Sequence, residues 1–310
     1  MPSDEPPQSD PELVADDTPH VDQAMVDALD SLGNRQRLEL LFTLAAAERE
    51  QQQQPLSMTF SELYDRVDVE SSSQFSYHLS QLVGSFVAKA PDGYHLTQGG
   101  AKLVRAIRSG VYASTPQFDS VDVSGACPLC GAVSLAATLA DERFVVRCDA
   151  CSTPLVTNSF PLSQARNRTP SEIVASFGSR IWSTHVLVSG AVCPECYGRV
   201  DTVVEAHDHG THELYTHRST CGECTFVIHV PIEATAAFHP AAVGFLWNHG
   251  ISLLDLPLWE FFELMTEGVV KTDVRSVDPF EATTTITFAD ETLRLTIDET
   301  MTVALAPTDE

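Results

Sequence analysis

The chain has 310 residues, of which 43% are hydrophobic, and a formal net charge of −25 at pH 7 from 43 acidic and 18 basic residues. This length suggests two or three domains, and the hydrophobic content is sufficient for packed cores, which excludes a wholly disordered protein. Only three of the basic residues are lysines, Lys89, Lys102 and Lys271. Acidity combined with a near absence of lysine is typical of adaptation to a cytosol of concentrated salt. An ordinary acidic soluble protein is the plainer alternative.

The N-terminal segment, residues 1–19, is rich in proline and aspartate and has no apolar core. We expect it to be a disordered acidic tail. A signal peptide would need a basic start and an apolar run, and a membrane span would need about 18 apolar residues. The sequence therefore predicts a cytoplasmic protein without membrane contact, in which cysteines stay reduced.

Residues 20–113 have the periodicity of a small, mostly helical domain. Apolar residues at helical spacing predict two helices, within segments 21–32 and 33–50. Thr59 and Glu62 are spaced as a capping box, which predicts the start of a third helix.

A fourth helix is predicted over SSSQFSYHLSQL, residues 71–82. Apolar residues repeat there at i, i+4, i+7 and i+8, which predicts a buried stripe. The stripe consists of Phe75, Leu79, Leu82 and Val83. The opposite face is polar, can donate and accept hydrogen bonds, and consists of Ser73, Gln74, Tyr77 and Gln81, with Ser80 at its edge. His78, at the flank of the stripe, is expected to pack or to form a hydrogen bond.

The segment FVAKAPDGYHLT predicts two short strands around Pro91-Asp92-Gly93, and a last helix follows Thr97. Four helices, a hairpin and a closing helix are the element order of a winged helix-turn-helix domain, whose recognition helix enters the major groove of double-stranded DNA. We expect a homodimer held by the first and last helices. A winged helix that contacts only proteins is the alternative.

Three segments of this domain resemble a known family. LGNRQRLELLFTLA, SYHLSQL and DGYHLTQGGAKLVRAI are similar to ArsR-type winged-helix transcriptional regulators, especially those of halophilic archaea. The resemblance covers about residues 20–113 and implies a DNA-binding regulator. Metal-sensing members of that family carry cysteines in the helix before the recognition helix, or Asp and His on the last helix. SELYDRVDVE and GGAKLVRAIRSGVYAS lack those residues, so metal sensing at the family's sites is not expected.

Acidic residues are almost absent from the predicted DNA-facing segment. Asp92 is the only acid within residues 71–115, where the net charge is +3. The four basic residues there are Lys89, Lys102, Arg105 and Arg108. At about 1 M salt the Debye length is only ~3 Å, so distant carboxylates are largely screened.

High salt also weakens the counterion release that drives ordinary phosphate binding, so short hydrogen bonds to bases and phosphates gain importance. We therefore assign DNA contacts to the polar face and to three basic residues. The base-reading candidates are Ser73, Gln74, Tyr77, Ser80 and Gln81, and the phosphate candidates are Lys89, Arg105 and Arg108.

The eight cysteines form four CxxC pairs, two in each of two segments. Each set matches the pattern of a zinc ribbon, in which two knuckles are separated by a hairpin and four thiolates bind zinc tetrahedrally. The predicted ligands are Cys127, Cys130, Cys148 and Cys151 in the first set, and Cys193, Cys196, Cys221 and Cys224 in the second. Nearby arginines could offset the negative charge of the centres: Arg143, Arg147, Arg199 and Arg218.

Disulfides and redox pairs are the competing interpretations of these cysteines. A reducing compartment disfavours disulfides, and a redox CxxC usually occurs alone beside a βαβ pattern, which is not seen here. Four cysteines fill a tetrahedral zinc site and leave no open position for catalysis. The sequence also has no nucleophile elbow, phosphate loop or HExxH motif. We therefore predict two structural zinc ions and no enzymatic activity.

A histidine-rich segment, HDHGTH, lies at the expected hairpin tip of the second ribbon. Its histidines are His207, His209 and His212, and His217 follows. Such spacing could bind a transition metal, whereas solvated turn residues are the plainer interpretation.

The remainder of residues 114–310 predicts an α+β domain built around the two ribbons, at 125–153 and 191–230. Thr169 is spaced to cap a helix at 170–187, and further helices are predicted within 239–265. Alternation of apolar and polar residues predicts two or three strands within 272–306. The aromatic residues Trp247, Trp259, Phe261 and Phe262 are expected in a core, or else in a dimer interface or ligand pocket.

These patterns predict a sequence-specific DNA-binding transcriptional regulator. The zinc-containing domain would serve dimerisation, sensing or protein contacts. One alternative is a basal transcription factor that binds RNA polymerase, because a winged helix followed by a zinc ribbon is also similar to an archaeal initiation factor. A second alternative is a ligand-binding sensor that uses the aromatic residues of the C-terminal domain.

Overall fold

A computed structural model describes residues 21–51, 57–113, 116–208 and 213–307. The chain divides into two compact units, Met1–Ser109 and Gly110–Glu310. Both helices and antiparallel sheets are present, so the protein is of the mixed α+β class. The predicted N-terminal tail lies outside the described residues.

The described residues of the first unit form five helices. They are α1 (Gln23–Asp30), α2 (Arg35–Gln51), α3 (Phe60–Tyr64), α4 (Ser72–Leu82) and α5 (Gln98–Ser109). Side-chain caps explain where several of them begin. Thr59 and Glu62 form the predicted capping box of α3, and the Ser71 hydroxyl accepts a hydrogen bond from the Gln74 amide at the start of α4.

Between α4 and α5 the chain forms a hairpin of β1 (Val87–Ala90) and β2 (Gly93–Leu96). The segment before α3 joins this hairpin, because Met58 and Tyr94 exchange backbone hydrogen bonds of 2.9 and 2.8 Å. Gly93 is required at this point. Its φ is +144°, and a Cβ there would lie 2.3 Å from the Met58 carbonyl oxygen.

The core of the first unit lies between α2, α3, α4 and the hairpin. Phe75, Leu79 and Leu82 are buried in it as predicted. The prediction for Val83 was wrong, because its side chain is 38% exposed. Val83 is the C-cap of α4 and has an extended backbone, so the helical periodicity has ended before its side chain could turn inward.

Three antiparallel sheets are found in the described part of the second unit. The first consists of β3 (Phe118–Val123), β4 (Leu135–Ala140), β5 (Arg143–Cys148) and β6 (Pro154–Ser159). The second consists of β7 (Val200–Asp208), β8 (Glu213–Cys221) and β9 (Val227–Pro231). The third consists of β10 (Val270–Val277), β11 (Phe280–Phe288), β12 (Glu291–Ile297) and β13 (Val303–Leu305). The C-terminal strands thus number four rather than two or three, since the short β13 also pairs with β12.

Helices of the second unit lie between the strands in sequence. They are α6 (Leu162–Ala165), α7 (Pro170–Ser189), α8 (Ile232–Ala237), α9 (Pro240–Asn248) and α10 (Leu258–Thr266). Thr169 and Glu172 form a capping box at the start of α7, and Pro170 occupies the first turn. All six residues of α8 are buried.

One large apolar core joins α7, α8 and α10 to the sheets of the second unit. Trp259, Phe261 and Phe262 lie in this core, as their pattern predicted. Trp247 does not, because its side chain is 68% exposed on α9. Among the described residues, no helix combines the length and apolarity needed to span a bilayer.

Candidate metal centres and nucleic-acid interface

The first group of four cysteines lies at one end of the β4–β5 hairpin. Cys127 and Cys130 precede β4, and Cys148 and Cys151 follow at the end of β5. The Sγ atoms of Cys127 and Cys151 are 3.8 Å apart, and those of Cys130 and Cys148 are 3.7 Å apart. The four sulfurs all lie within 4.8 Å of one another.

The second group repeats this arrangement around the β7–β8 hairpin. The Sγ atoms of Cys193 and Cys224 are 3.6 Å apart, and those of Cys196 and Cys221 are 3.5 Å apart. Backbone amides already point at the sulfurs. The amide of Glu195 donates to Cys193 Sγ, and the amide of Gly198 donates to Cys196 Sγ.

All four CxxC turns share one backbone feature. The residue directly after the second cysteine has a left-handed backbone in each case, with φ between +60° and +72°. These residues are Gly131, Ser152, Tyr197 and Thr225. Only one of them is a glycine, so the fold holds three other side chains in a region that usually costs free energy. Four repeats of one strained turn indicate a common task for the turns, namely aiming two thiols at one point.

The sulfur positions fit a tetrahedral metal ion. Zinc–sulfur bonds of about 2.3 Å at tetrahedral angles separate neighbouring sulfurs by about 3.8 Å. The measured pairs, at 3.5 to 3.8 Å, are close to that value. They are far too long for disulfides, whose S–S bond is about 2.05 Å, and all eight cysteines are free. Each group could therefore hold one metal ion.

The thiols of the first group differ in their proton affinity. Burial raises the pKa of Cys127 to about 12. Hydrogen bonding with the Thr153 side chain and backbone lowers the pKa of Cys151 to about 6. A divalent ion would have to displace the proton from Cys127, and metal affinity would then rise with pH.

The arginines expected near these centres have other partners. Arg218 Nε lies 2.6 Å from Glu205 Oε1, and Arg199 Nε lies 3.4 Å from Asp201 Oδ1. Arg147 does contact a cysteine turn, because it donates to the Ser152 carbonyl oxygen. Arg199 and Arg218 each pair with a neighbouring carboxylate, and charge compensation of the cysteine centres by these arginines stays a prediction.

The histidines of the HDHGTH segment fall in different surroundings. His209 and His212 lie outside the described residues. His207 lies on β7, where its Nε2 is 2.8 Å from Thr216 Oγ1. His217, on β8, points to the other side of the sheet and is 3% exposed. Sequence reasoning missed His229 of β9, whose ring comes close to Glu205 and His207.

The polar face of α4 is exposed. Ser73, Tyr77, Ser80 and Gln81 are exposed, and Gln74 is half-buried. The Ser80 hydroxyl donates to the Tyr77 carbonyl, so its lone pairs remain as acceptors. His78 is buried, and neither of its ring nitrogens has a hydrogen-bond partner. It is a packing residue, and burial lowers its pKa.

The basic residues proposed to contact phosphates lie on the hairpin and on α5. Lys89 is exposed on β1, with its Nζ 5.9 Å from the centroid of the Tyr94 ring. Arg105 is exposed on α5. The guanidinium carbon of Arg108 is 5.9 Å from the centroid of the Phe42 ring, so this side chain lies against α2.

Two family models match the chain. The domain of unknown function DUF7347 matches residues 25–107, and the domain of unknown function DUF7351 matches residues 124–303. No curated protein and no solved structure matches. The second model spans more than half of the chain and includes both cysteine groups, and the chain therefore belongs to the DUF7351 family.

Proposed function

We propose that this protein is a sequence-specific DNA-binding transcriptional regulator, with a winged helix of the ArsR type in its first unit. The main support for this proposal is that α4 exposes an uncharged face able to form hydrogen bonds. Gln can pair bidentately with adenine, and Ser can bond to most bases. Helix α4 would be the recognition helix, and the β1–β2 hairpin would be the wing.

Two further features support a winged helix. The element order from α2 to α5 is that of the fold, and the Met58–Tyr94 bridge attaches the segment before α3 to the hairpin. The segment 71–115 carries a net charge of +3 in a chain of −25. Acidic residues are thus almost absent from the region that would approach phosphates.

We further propose that each cysteine group holds one structural zinc ion, in a zinc ribbon. Four sulfur ligands suit zinc, and they leave no open coordination position. Zinc would stabilise the second unit, and no catalytic role is assigned to it.

The exposed side of α1 supports a homodimer. Met25 and Leu29 lie one turn apart on α1 and are 54% and 68% exposed, and Val21, which precedes the N-cap of α1, is 73% exposed. No residue of α1 itself is buried. Exposed apolar side chains that lie together are typical of an interface. A second copy of the chain would cover them, as symmetric regulators require for two half-sites.

The test is to incubate the full chain with fragmented genomic DNA at molar KCl and to sequence the retained fragments. We expect a shared, roughly palindromic motif. Replacing both glutamines, Gln74→Ala and Gln81→Ala, should relax the preference at the bases they contact by about 1–3 kcal/mol per bidentate pair. Gln117→Ala is the matched control, since Gln117 is an exposed glutamine of the second unit. Retention without a motif would contradict the proposal, and co-purification with RNA polymerase would then favour a polymerase-bound factor.

A further inference from the structure

A carboxylate and two imidazoles meet on one face of the second sheet. Glu205 and His207 lie two residues apart on β7, so their side chains share a face. His229 lies on β9 and pairs with Arg218 of β8, which in turn pairs with Val203 of β7. Because Val203 lies two residues before Glu205 on β7, His229 shares the face of Glu205 and His207. One ligand atom from each of Glu205, His207 and His229 lies within 4.8 Å of the other two. His229 Nδ1 is 3.4 Å from Glu205 Oε2.

Neighbouring side chains fix the carboxylate and one imidazole without occupying all their donor atoms. Arg218 Nε bonds to Glu205 Oε1, at 2.6 Å, and leaves Oε2 directed toward His229. Thr216 Oγ1 bonds to His207 Nε2, at 2.8 Å, and leaves Nδ1 available. Metal-binding histidines and carboxylates are usually held in this way by hydrogen bonds through their remaining polar atoms.

This group adjoins a cleft of about 930 Å³ in the second unit. Residues of β6 and β9, which are the edge strands of their sheets, line two of its walls. His229 and Thr216 contribute to the lining, and Ile181, Leu258 and Phe262 add apolar surface. The cleft has the size and mixed lining of a small-molecule site.

We propose that Glu205, His207 and His229 form a third metal site, for a divalent transition-metal ion such as Zn²⁺. Two nitrogens and one oxygen suit zinc, and a set of two histidines and one glutamate is known from sites that keep a position open. The open position would take water or the oxygen of a small molecule in the cleft. In this respect the site differs from the two cysteine groups, whose four ligands complete a tetrahedron.

An ion pair between His229 and Glu205 is the competing interpretation. Such a pair would bind no metal ion, so the number of metal equivalents that the chain binds separates the two interpretations.

The experiment uses the full chain with both cysteine groups already loaded, titrated with Co²⁺ at pH 7.5. We expect a third metal equivalent with weak ligand-field bands and without the thiolate-to-metal charge-transfer absorption of a cysteine site. His207→Ala and His229→Ala should each weaken this binding by at least about tenfold, since loss of an outer-shell partner alone costs 10- to 100-fold. His249→Ala is the matched control. Its Nε2 lies 3.3 Å from Glu291 Oε2, and among the described residues this pair belongs to no three-ligand group.

Retention of both thiolate-bound ions in every variant shows that the fold is intact. Absence of a third equivalent in the wild-type chain would overturn the proposal. Undiminished binding in the combined His207→Ala and His229→Ala variant would also overturn it. Loss only on replacement of His209 and His212 would assign the metal to those residues and refute this ligand set.

Discussion

His185 and His217 are buried side by side, with ring centroids 5.9 Å apart. The aromatic rings of Trp182 and Phe238 adjoin His185, and neither nitrogen of His185 has a hydrogen-bond partner. Burial lowers the pKa of His185 to about 3 and that of His217 to about 4. Both rings are therefore neutral in the folded protein at neutral pH.

These lowered pKa values should make the second unit less stable in acid. An unfolded histidine binds a proton below pH 6.5, whereas the folded pair does not until about pH 4. Protons therefore favour the unfolded state, and stability falls as the pH drops below 6.5. Each such histidine contributes a slope of up to about 1.4 kcal/mol per pH unit.

Replacing His185 by phenylalanine should remove one of these two contributions. The His185→Phe variant keeps an aromatic ring in an aromatic environment and eliminates two unpaired nitrogens, so we expect no loss of stability at pH 7. Between pH 6 and 5 its free energy of unfolding should decline less steeply than in the wild type, by about 1.4 kcal/mol per pH unit. Urea unfolding at both pH values, followed by tryptophan fluorescence, measures the difference. Equal slopes would show that His185 is not buried as a neutral ring.

At the scale of elements, local patterns predicted the helices and the cysteine turns well. The capping boxes of Thr59 and Thr169 lie at the starts of α3 and α7, and the cysteines predicted from the CxxC spacing form two groups of four sulfurs. A capping box involves residues close in sequence. Each cysteine group joins the two ends of one hairpin, which are necessarily adjacent.

Features that depend on distant pairing were not predicted. The buried α8 is too short to show a helical period, although all its residues are covered by other elements. His229 reaches Glu205 only through the register of β8 with both β7 and β9. Sequence reasoning instead grouped His207 with the histidines next to it. The sequence around a single histidine in a strand does not indicate which side chains it contacts until the pairing of the strands is known.

The two cysteine groups are embedded to different degrees in apolar surroundings. Cys127 and Cys148 belong to the large core of the second unit. Cys193 and Cys221 belong to a small separate cluster with Val188 and Val200. Local opening costs less free energy where fewer apolar side chains are buried. The second group should therefore open more readily than the first.

Chelation of the metal-loaded chain should consequently proceed in two steps. We expect the ion of the Cys193 group to leave at least about tenfold faster, corresponding to about 1.4 kcal/mol in opening free energy. Hydrogen exchange should show the amides of β7, β8 and β9 losing protection first. Cys193→Ser should remove the fast step, and Cys127→Ser should remove the slow one. A single step, or the reverse assignment, would contradict this order.

At the scale of the whole molecule, the negative charge is unevenly distributed. Residues 20–113 contain 11 acidic and 8 basic residues, a net charge of −3, whereas residues 114–310 contain 26 acidic and 10 basic residues, a net charge of −16. Such self-repulsion destabilises a compact state. Salt shortens the Debye length from about 10 Å at 0.1 M to about 3 Å at 1 M and so relieves the repulsion.

The second unit should therefore gain more stability from salt than the first. Raising KCl from 0.1 to 2 M should increase its free energy of unfolding by at least about 1 kcal/mol more than that of the first unit, because its net charge is −16, against −9 for Met1–Ser109 and −3 for residues 20–113. All three tryptophans, Trp182, Trp247 and Trp259, lie in the second unit, so their fluorescence reports on that unit alone. Hydrogen exchange of α2 and α4 reports on the first unit in the same sample. Salting-out of apolar surface stabilises both units. An equal gain in the free energy of unfolding of the two units would therefore assign the effect to salting-out. A larger gain in the second unit would identify charge repulsion as the cause.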